Sequence, residues 1–112
     1  MLLKCTRKPL SPELSDQLVA EVFQKILTVN PLKVILFGSA AENKLTDQSD
    51  LDFLVVCSNA EQMKTAQKKL KPKYPLCALA VDLVWVTLSD FETKKNMGGV
   101  CMVAHQEGRY LL

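Results

Sequence analysis

Apolar residues recur along the chain with two different periods, which predict alternating helices and strands. Between residues 14 and 27 they fall three, four or one positions apart, which gathers them on one stripe of a helix. Ser11 followed by Pro12 suits the start of this helix, because Ser caps free amides and Pro tolerates the first helical position. Asn30-Pro31 should end it, and the apolar run at residues 32–37 predicts a buried strand.

The middle of the chain predicts two more strands with a helix between them. Residues 50–57 predict the second strand, and Asn59 should cap a helix that runs to about Leu70. Residues 76–87 form the longest apolar run, with Asp82 in its middle, and this length favours a central strand.

The last third predicts two short helices and an edge strand. Ser89 and Glu92 have the spacing of a capping box, which should open the first helix. Gly98-Gly99 should separate it from a second helix that ends before Gly108, and residues 109–112 predict a final edge strand. This order, with no repeat and no linker, predicts one α/β or α+β domain over residues 1–112.

The amino-acid composition excludes several classes of protein. The 112 residues are 48% hydrophobic and 23% charged, as in an ordinary folded domain. A net charge of +2 is too small to indicate a nucleic-acid or membrane-surface binder. There is no secretory leader pattern and no membrane span, so we expect a cytoplasmic protein. The four cysteines lack zinc-ligand spacing; packing of Cys57 and Cys77 in the core is favoured over a disulfide between them.

Two aspartates at the start of the second strand are the first candidate chemistry. Asp50 and Asp52 are two positions apart, so their side chains should point to one face of the strand. Such a pair suits Mg2+, which takes one or two carboxylates together with substrate phosphates. Alone, the pair is more typical of a solvated strand end than of a metal site.

Two other features lie near this pair in the predicted fold. Gly38-Ser39 follows a buried strand, where Gly permits a sharp turn and a close approach of an anion; a plain turn is the alternative. Asp82 lies within an apolar strand, where an unpaired buried carboxylate would cost several kcal/mol or more. A cation shared with Asp50 and Asp52 would compensate it, as would a salt bridge to Lys or exposure at a bend.

Together these features resemble a known motif. Phe37-Gly38-Ser39, a gap of ten residues, Asp50-Leu51-Asp52-Phe53 and the later Asp82 are similar to the minimal nucleotidyltransferase (MNT) family of the polymerase-β-type nucleotidyltransferase superfamily. The resemblance begins near Val19, and the motif region covers residues 32–87. It implies a polymerase-β-type fold, with a mixed central sheet flanked by helices.

The resemblance also implies a reaction. Asp50, Asp52 and Asp82 would be catalytic and would bind two Mg2+ ions, with Mn2+ as an alternative, while Gly38 and Ser39 would bind the triphosphate of ATP. The product would be an acceptor hydroxyl that carries AMP. One departure is Glu42-Asn43, where many members have Arg-Gly, and Glu42 removes a potential phosphate-facing cation.

The identity of the molecule that accepts AMP is suggested only by the resemblance to the MNT family. Stand-alone members resemble antitoxins that adenylylate or bind a HEPN-type toxin, and we expect such a protein partner rather than a nucleic acid or a membrane. A catalytically silent binding module and a small-molecule antibiotic adenylyltransferase, whose acceptor cleft would require a homo-oligomer, remain alternatives. The lysines between Lys64 and Lys73 favour a solvated helix face over a docking surface for an acidic partner or RNA.

Overall fold

The computed structural model describes residues 9–42, 45–46, 49–70, 77 and 79–112. The described helices are α1 (Pro12–Leu27), α2 (Ala60–Lys69), α3 (Leu88–Lys94) and α4 (Gly99–Glu107). The strands are β1 (Lys33–Phe37), β2 (Asp50–Cys57), β3 (Ala80–Thr87) and β4 (Arg109–Tyr110), and a 3-10 turn covers Gly38–Ala40.

The four strands form one mixed sheet in the order β3-β2-β1-β4. β2 pairs with β3 in parallel, while β1 pairs antiparallel with both β2 and β4. The parallel pair is joined through α2, the connection that parallel neighbours require. These pairings confirm the prediction of an α/β fold with a mixed sheet flanked by helices.

Side chains of the sheet alternate between two cores. Leu51, Phe53 and Val55 of β2 pack on the side of α1 and α2, whereas Leu54 and Val56 pack on the side of α3 and α4. All five are completely buried. Full burial of such a side chain contributes about 1.5–3 kcal/mol, so β2 is held firmly in place from both faces.

Helix α1 forms as its pattern predicts. The Ser11 hydroxyl accepts the Leu14 amide at 3.1 Å and Pro12 is the first helical residue. The face turned to the sheet is apolar; its buried residues are Leu18, Val19, Val22 and Ile26. The helix ends before Asn30, which adopts a positive φ of 55°, a conformation that Asn tolerates well.

Helix α2 is tied to the end of α1 by polar contacts. Asn59 caps the Gln62 amide at 2.8 Å, which confirms the predicted start of the helix. The Gln62 side chain accepts the Ser58 amide at 2.8 Å and donates to the Val29 carbonyl at 2.9 Å. Lys69 donates to the Thr28 carbonyl at 2.8 Å, so each end of α2 has a link to this turn.

Two predictions about the second half are wrong. β3 lies at the edge of the sheet and not at its centre, because in the described chain only β2 pairs with it. α3 begins at Leu88 and is capped by Thr87, whose hydroxyl accepts the Asp90 amide at 3.3 Å. Strand and helix meet without a loop, so Ser89 lies inside the helix and not at its cap. The predicted separation at Gly98-Gly99 and the edge strand β4 are confirmed.

The described cysteines support core packing. Cys57, Cys77 and Cys101 are buried and free. Cys57 ends β2 opposite Thr87, whereas Cys77 precedes the start of β3, so the two lie toward opposite ends of the parallel pair. Cys5 lies outside the described residues.

We predict that Gly108→Ala will destabilise the fold. A Cβ at Gly108 would lie 2.6 Å from Ile35 Cγ2 and 2.9 Å from the Leu36 carbonyl oxygen, where α4 turns back onto β1. Overpacking of this kind costs about 1–3 kcal/mol, which urea denaturation would measure. Gln106→Ala, on the exposed part of α4, is the control and should change stability by less than about 0.5 kcal/mol.

Candidate active site

The three predicted acids lie at one end of the parallel strand pair. Asp50 and Asp52 open β2, and Asp52 is in register with both Asp82 of β3 and Phe37 of β1. Since residues in register on neighbouring strands point to the same face, Asp52 and Asp82 project together on the α3/α4 side of the sheet. The structure therefore brings together Asp52 and Asp82, with Asp50 two residues away on that face.

The electrostatics of Asp52 reflect this crowding. Burial raises the pKa of the Asp52 carboxyl, and the charges of Asp82 and Asp50 raise it further. A side-chain hydrogen bond to Asp82 acts in the same direction. Desolvation and repulsion by the neighbouring acids therefore both favour the protonated form of Asp52.

Gly38 lies directly against the Asp52 carboxylate. Its φ is +74°, in the left-handed region that favours glycine. A Cβ at this position would lie 2.6 Å from Asp52 Oδ2. The backbone of the turn thus approaches the carboxylate more closely than any residue with a side chain would allow.

Ser39 lies in the 3-10 turn that follows β1. The Gly38 and Ser39 carbonyls accept the amides of Ala41 and Glu42, at 3.1 and 3.2 Å. This turn is only three residues long, so no α-helix begins here to add its dipole to an anion site. Ser39 is partly exposed and close in sequence to the glycine that touches Asp52.

The burial of Asp82 differs from what the sequence predicts. This residue is exposed, because β3 is an edge strand and Asp82 lies near its open end. The expectation that burial makes compensation necessary is therefore wrong for Asp82. The desolvated acid of the pair is Asp52, at the more interior position on β2.

The donor set fits a divalent cation completed by substrate. Within the described ranges, no group of three or more His, Cys, Asp or Glu side chains is arranged to hold a metal ion by itself. Two converging carboxylates with a third nearby match Mg2+, which keeps water or substrate phosphates in its remaining positions. A cation would also remove the repulsion that raises the pKa of Asp52.

Other residues singled out in the sequence lie away from this site or beyond the described chain. Glu42 is exposed just after the 3-10 turn, and Asn43 lies outside the described residues. On α2, Lys64 and Lys68 are exposed, whereas Lys71 and Lys73 are not among the described residues. His105, which had no predicted role, is in contact with the Tyr110 hydroxyl, a pairing that their five-residue spacing did not indicate.

Comparison with known proteins assigns the family. The chain matches the family model "Polymerase beta, Nucleotidyltransferase" over residues 18–99, which include all the candidate site residues. The protein therefore belongs to the polymerase beta nucleotidyltransferase family, and its fold is the α+β fold of that family. No curated protein and no solved structure matches it significantly. Among the described helices, none has the length and hydropathy that a membrane crossing requires.

The raised pKa of Asp52 predicts a pH dependence of stability. The folded protein holds this proton more tightly than the unfolded chain, so metal-free protein loses stability as pH rises from about 3.8 through the raised pKa. Asp52→Asn should lack this loss, and its unfolding free energy should therefore rise relative to the parent with pH.

Urea denaturation at several pH values, with a chelator present, measures the difference. Adding Mg2+ near pH 7 should stabilise the parent more than Asp52→Asn. Asp16→Asn, an exposed acid on α1, is the control and should behave as the parent. Equal pH profiles for the parent and Asp52→Asn would contradict the crowded-acid interpretation.

Proposed function

We propose that the protein is a Mg2+-dependent nucleotidyltransferase that transfers AMP from ATP to a hydroxyl of a protein acceptor. The observation that carries this proposal is that Asp52 lies in register with Asp82 and against the backbone of Gly38. Family membership supports the transfer of a nucleotide, and this acid pair supports the use of a metal in that transfer.

Each site residue has a proposed task. Asp50, Asp52 and Asp82 would hold Mg2+, as two ions, and the turn at Gly38 and Ser39 would bind the triphosphate. The metal would neutralise the triphosphate and lower the pKa of the acceptor hydroxyl. The exposed Asp82 carboxylate is suited to receive the proton of that hydroxyl. The acceptor oxygen then bonds to the α-phosphorus, and pyrophosphate leaves.

A macromolecular acceptor is supported by the position of Asp82. Because Asp82 is exposed on an edge strand, a bulky partner has access to it from the side of β3. The resemblance to the MNT family suggests a HEPN-type toxin as this partner, and an antitoxin role in the cytoplasm. A protein that only covers its partner would need neither the metal nor the acids, and this difference makes the proposal testable.

ATP should stabilise the protein against heat only together with Mg2+ or Mn2+, because the acids repel a bare triphosphate. Ligand linkage predicts about 2.7 kcal/mol at one hundred times the dissociation constant. Thermal unfolding with ATP, with metal, and with both measures this effect. A shift of the same size with ATP and chelator would count against the metal site.

Asp82→Asn should abolish transfer while sparing the fold. Loss of one carboxylate from the activating site should slow AMP transfer to a co-purified HEPN-type partner by at least ~100-fold, equivalent to about 2.7 kcal/mol. Binding of Mg2+ and ATP should fall far less, since Asp50 and Asp52 remain. Mass analysis of the partner after incubation with ATP and Mg2+ gives the rate.

Asp16→Asn is the matched control and should transfer AMP at the parent rate. If Asp82→Asn neutralises the partner as well as the parent does, and neither protein transfers AMP, the protein is a binding module and the enzyme proposal is wrong.

A further inference from the structure

A second group of reactive side chains lies at the far edge of the sheet, on β4 and the end of α4. The Tyr110 hydroxyl and His105 Nδ1 are 2.6 Å apart. The His105 ring also packs edge-on against Phe91, with ring centres 6.1 Å apart. A buried aromatic on α3 thus fixes the imidazole beside the phenol.

Tyr110 has the properties of an acceptor that needs a base. Its side chain is on an edge strand and the residue is 42% exposed, so a second molecule can reach it. A phenol with its ordinary pKa near 10 is protonated at neutral pH, and partial burial raises the pKa of Tyr110 further. Attack by this oxygen requires proton removal, and His105 Nδ1 is placed to accept that proton when the imidazole is neutral.

The charges around the phenol suit an anionic reagent. Lys33 Nζ lies 6.0 Å from the centre of the Tyr110 ring. The charges of Lys95 and Glu92, which form an ion pair at 2.7 Å, also act on Tyr110, and they act in opposite directions. Lys33 has no such pairing among the ion pairs of the described chain, so a phosphate ester on Tyr110 would have a cation close by.

The order of strands in the sheet indicates whether Tyr110 could be modified by its own chain or only by a second copy. Tyr110 and Asp82 lie on the two opposite edge strands, β4 and β3. Tyr110 pairs with Ile35 of β1, two residues along that strand from Phe37, which is in register with Asp52. The acids of β2 and β3 therefore lie two to three strand spacings from β4, about 10–14 Å across the sheet, and about 7 Å further along it. With its hydroxyl in contact with His105, Tyr110 does not reach an α-phosphorus held at these acids in the same chain.

We propose that Tyr110 is an acceptor for nucleotidyl transfer between two copies of this protein, with His105 as the base. The inference rests on the proposed function, because the donor is ATP bound at the active site of the second copy. The Tyr110 oxygen bonds to the α-phosphorus, the bond from that phosphorus to pyrophosphate breaks, and the phenolic proton passes to His105 Nδ1. The products are AMP-tyrosine and pyrophosphate.

Incubation of the purified full chain with ATP and Mg2+, followed by peptide mass analysis, tests the proposal. AMP should appear on Tyr110, with an initial rate that rises with the square of protein concentration. Tyr110→Phe should lose this label and still transfer AMP to the partner, while Tyr74→Phe, at the chain's other tyrosine, should be labelled as the parent is. Absence of label on Tyr110 in the parent overturns the inference.

A mixture of two variants tests transfer between copies. Asp82→Asn retains Tyr110 but lacks activity, and Tyr110→Phe retains activity but lacks the acceptor. Alone neither should be labelled, whereas mixed together the Asp82→Asn chain should acquire AMP on Tyr110. No label in the mixture, with a labelled parent, would overturn transfer between copies.

His105→Gln tests the base, because Gln can still hydrogen bond to the phenol but is not basic. Labelling of Tyr110 should fall about 100-fold, while transfer to the partner and stabilisation by Mg2+ and ATP stay unchanged. An equal fall in transfer to the partner would show that His105 supports only the fold. Transfer to the partner and stabilisation by Mg2+ and ATP also test the proposed function by itself. If both are observed in the parent while Tyr110 stays unlabelled, only this inference is rejected. If neither is observed, the proposed function is rejected.

Discussion

The register of β2 against β3 is the constraint on which the candidate site depends. This parallel pairing sets Asp52 directly opposite Asp82. A slip of one residue would turn Asp82 to the other face of the sheet, because side chains alternate along a strand. The acids do not set the register themselves, since they repel each other. Phe53, Leu54, Val55 and Val56, all fully buried, stabilise it from both faces.

The repulsion among the acids therefore destabilises the fold locally, and the packing of β2 on both faces offsets it. One end of β2 is buried among helices on both faces, while the other end presents Asp50 and Asp52 at the edge of the core. Gly38 makes the crowding closer, because a Cβ at this position would lie 2.6 Å from Asp52 Oδ2. The repulsion among the acids is unfavourable without a cation, and in the proposed function a bound cation would relieve it.

Local features of the fold could be predicted from the sequence, and long-range ones could not. The bounds of β2, the cap of α1 at Ser11 and the shared face of Asp50 and Asp52 all follow from spacing within one segment. The edge position of β3 depends on which strands pair, and nothing within residues 76–87 encodes that, in the described part of the chain, only β2 pairs with it. The contact of His105 with Tyr110 likewise depends on how β4 returns to β1 after Gly108.

The edge position of β3 changes the meaning of Asp82. An acid at the centre of the sheet would be a buried charge needing compensation, and large acceptors would have no path to it. At the edge, Asp82 is exposed to solvent, while burial on the interior strand raises the pKa of Asp52. Two acids in one register thus have different environments, which suits them to different tasks. In the proposed reaction, Asp52 would hold the metal beside the Gly38 turn, and the exposed Asp82 would meet the incoming hydroxyl.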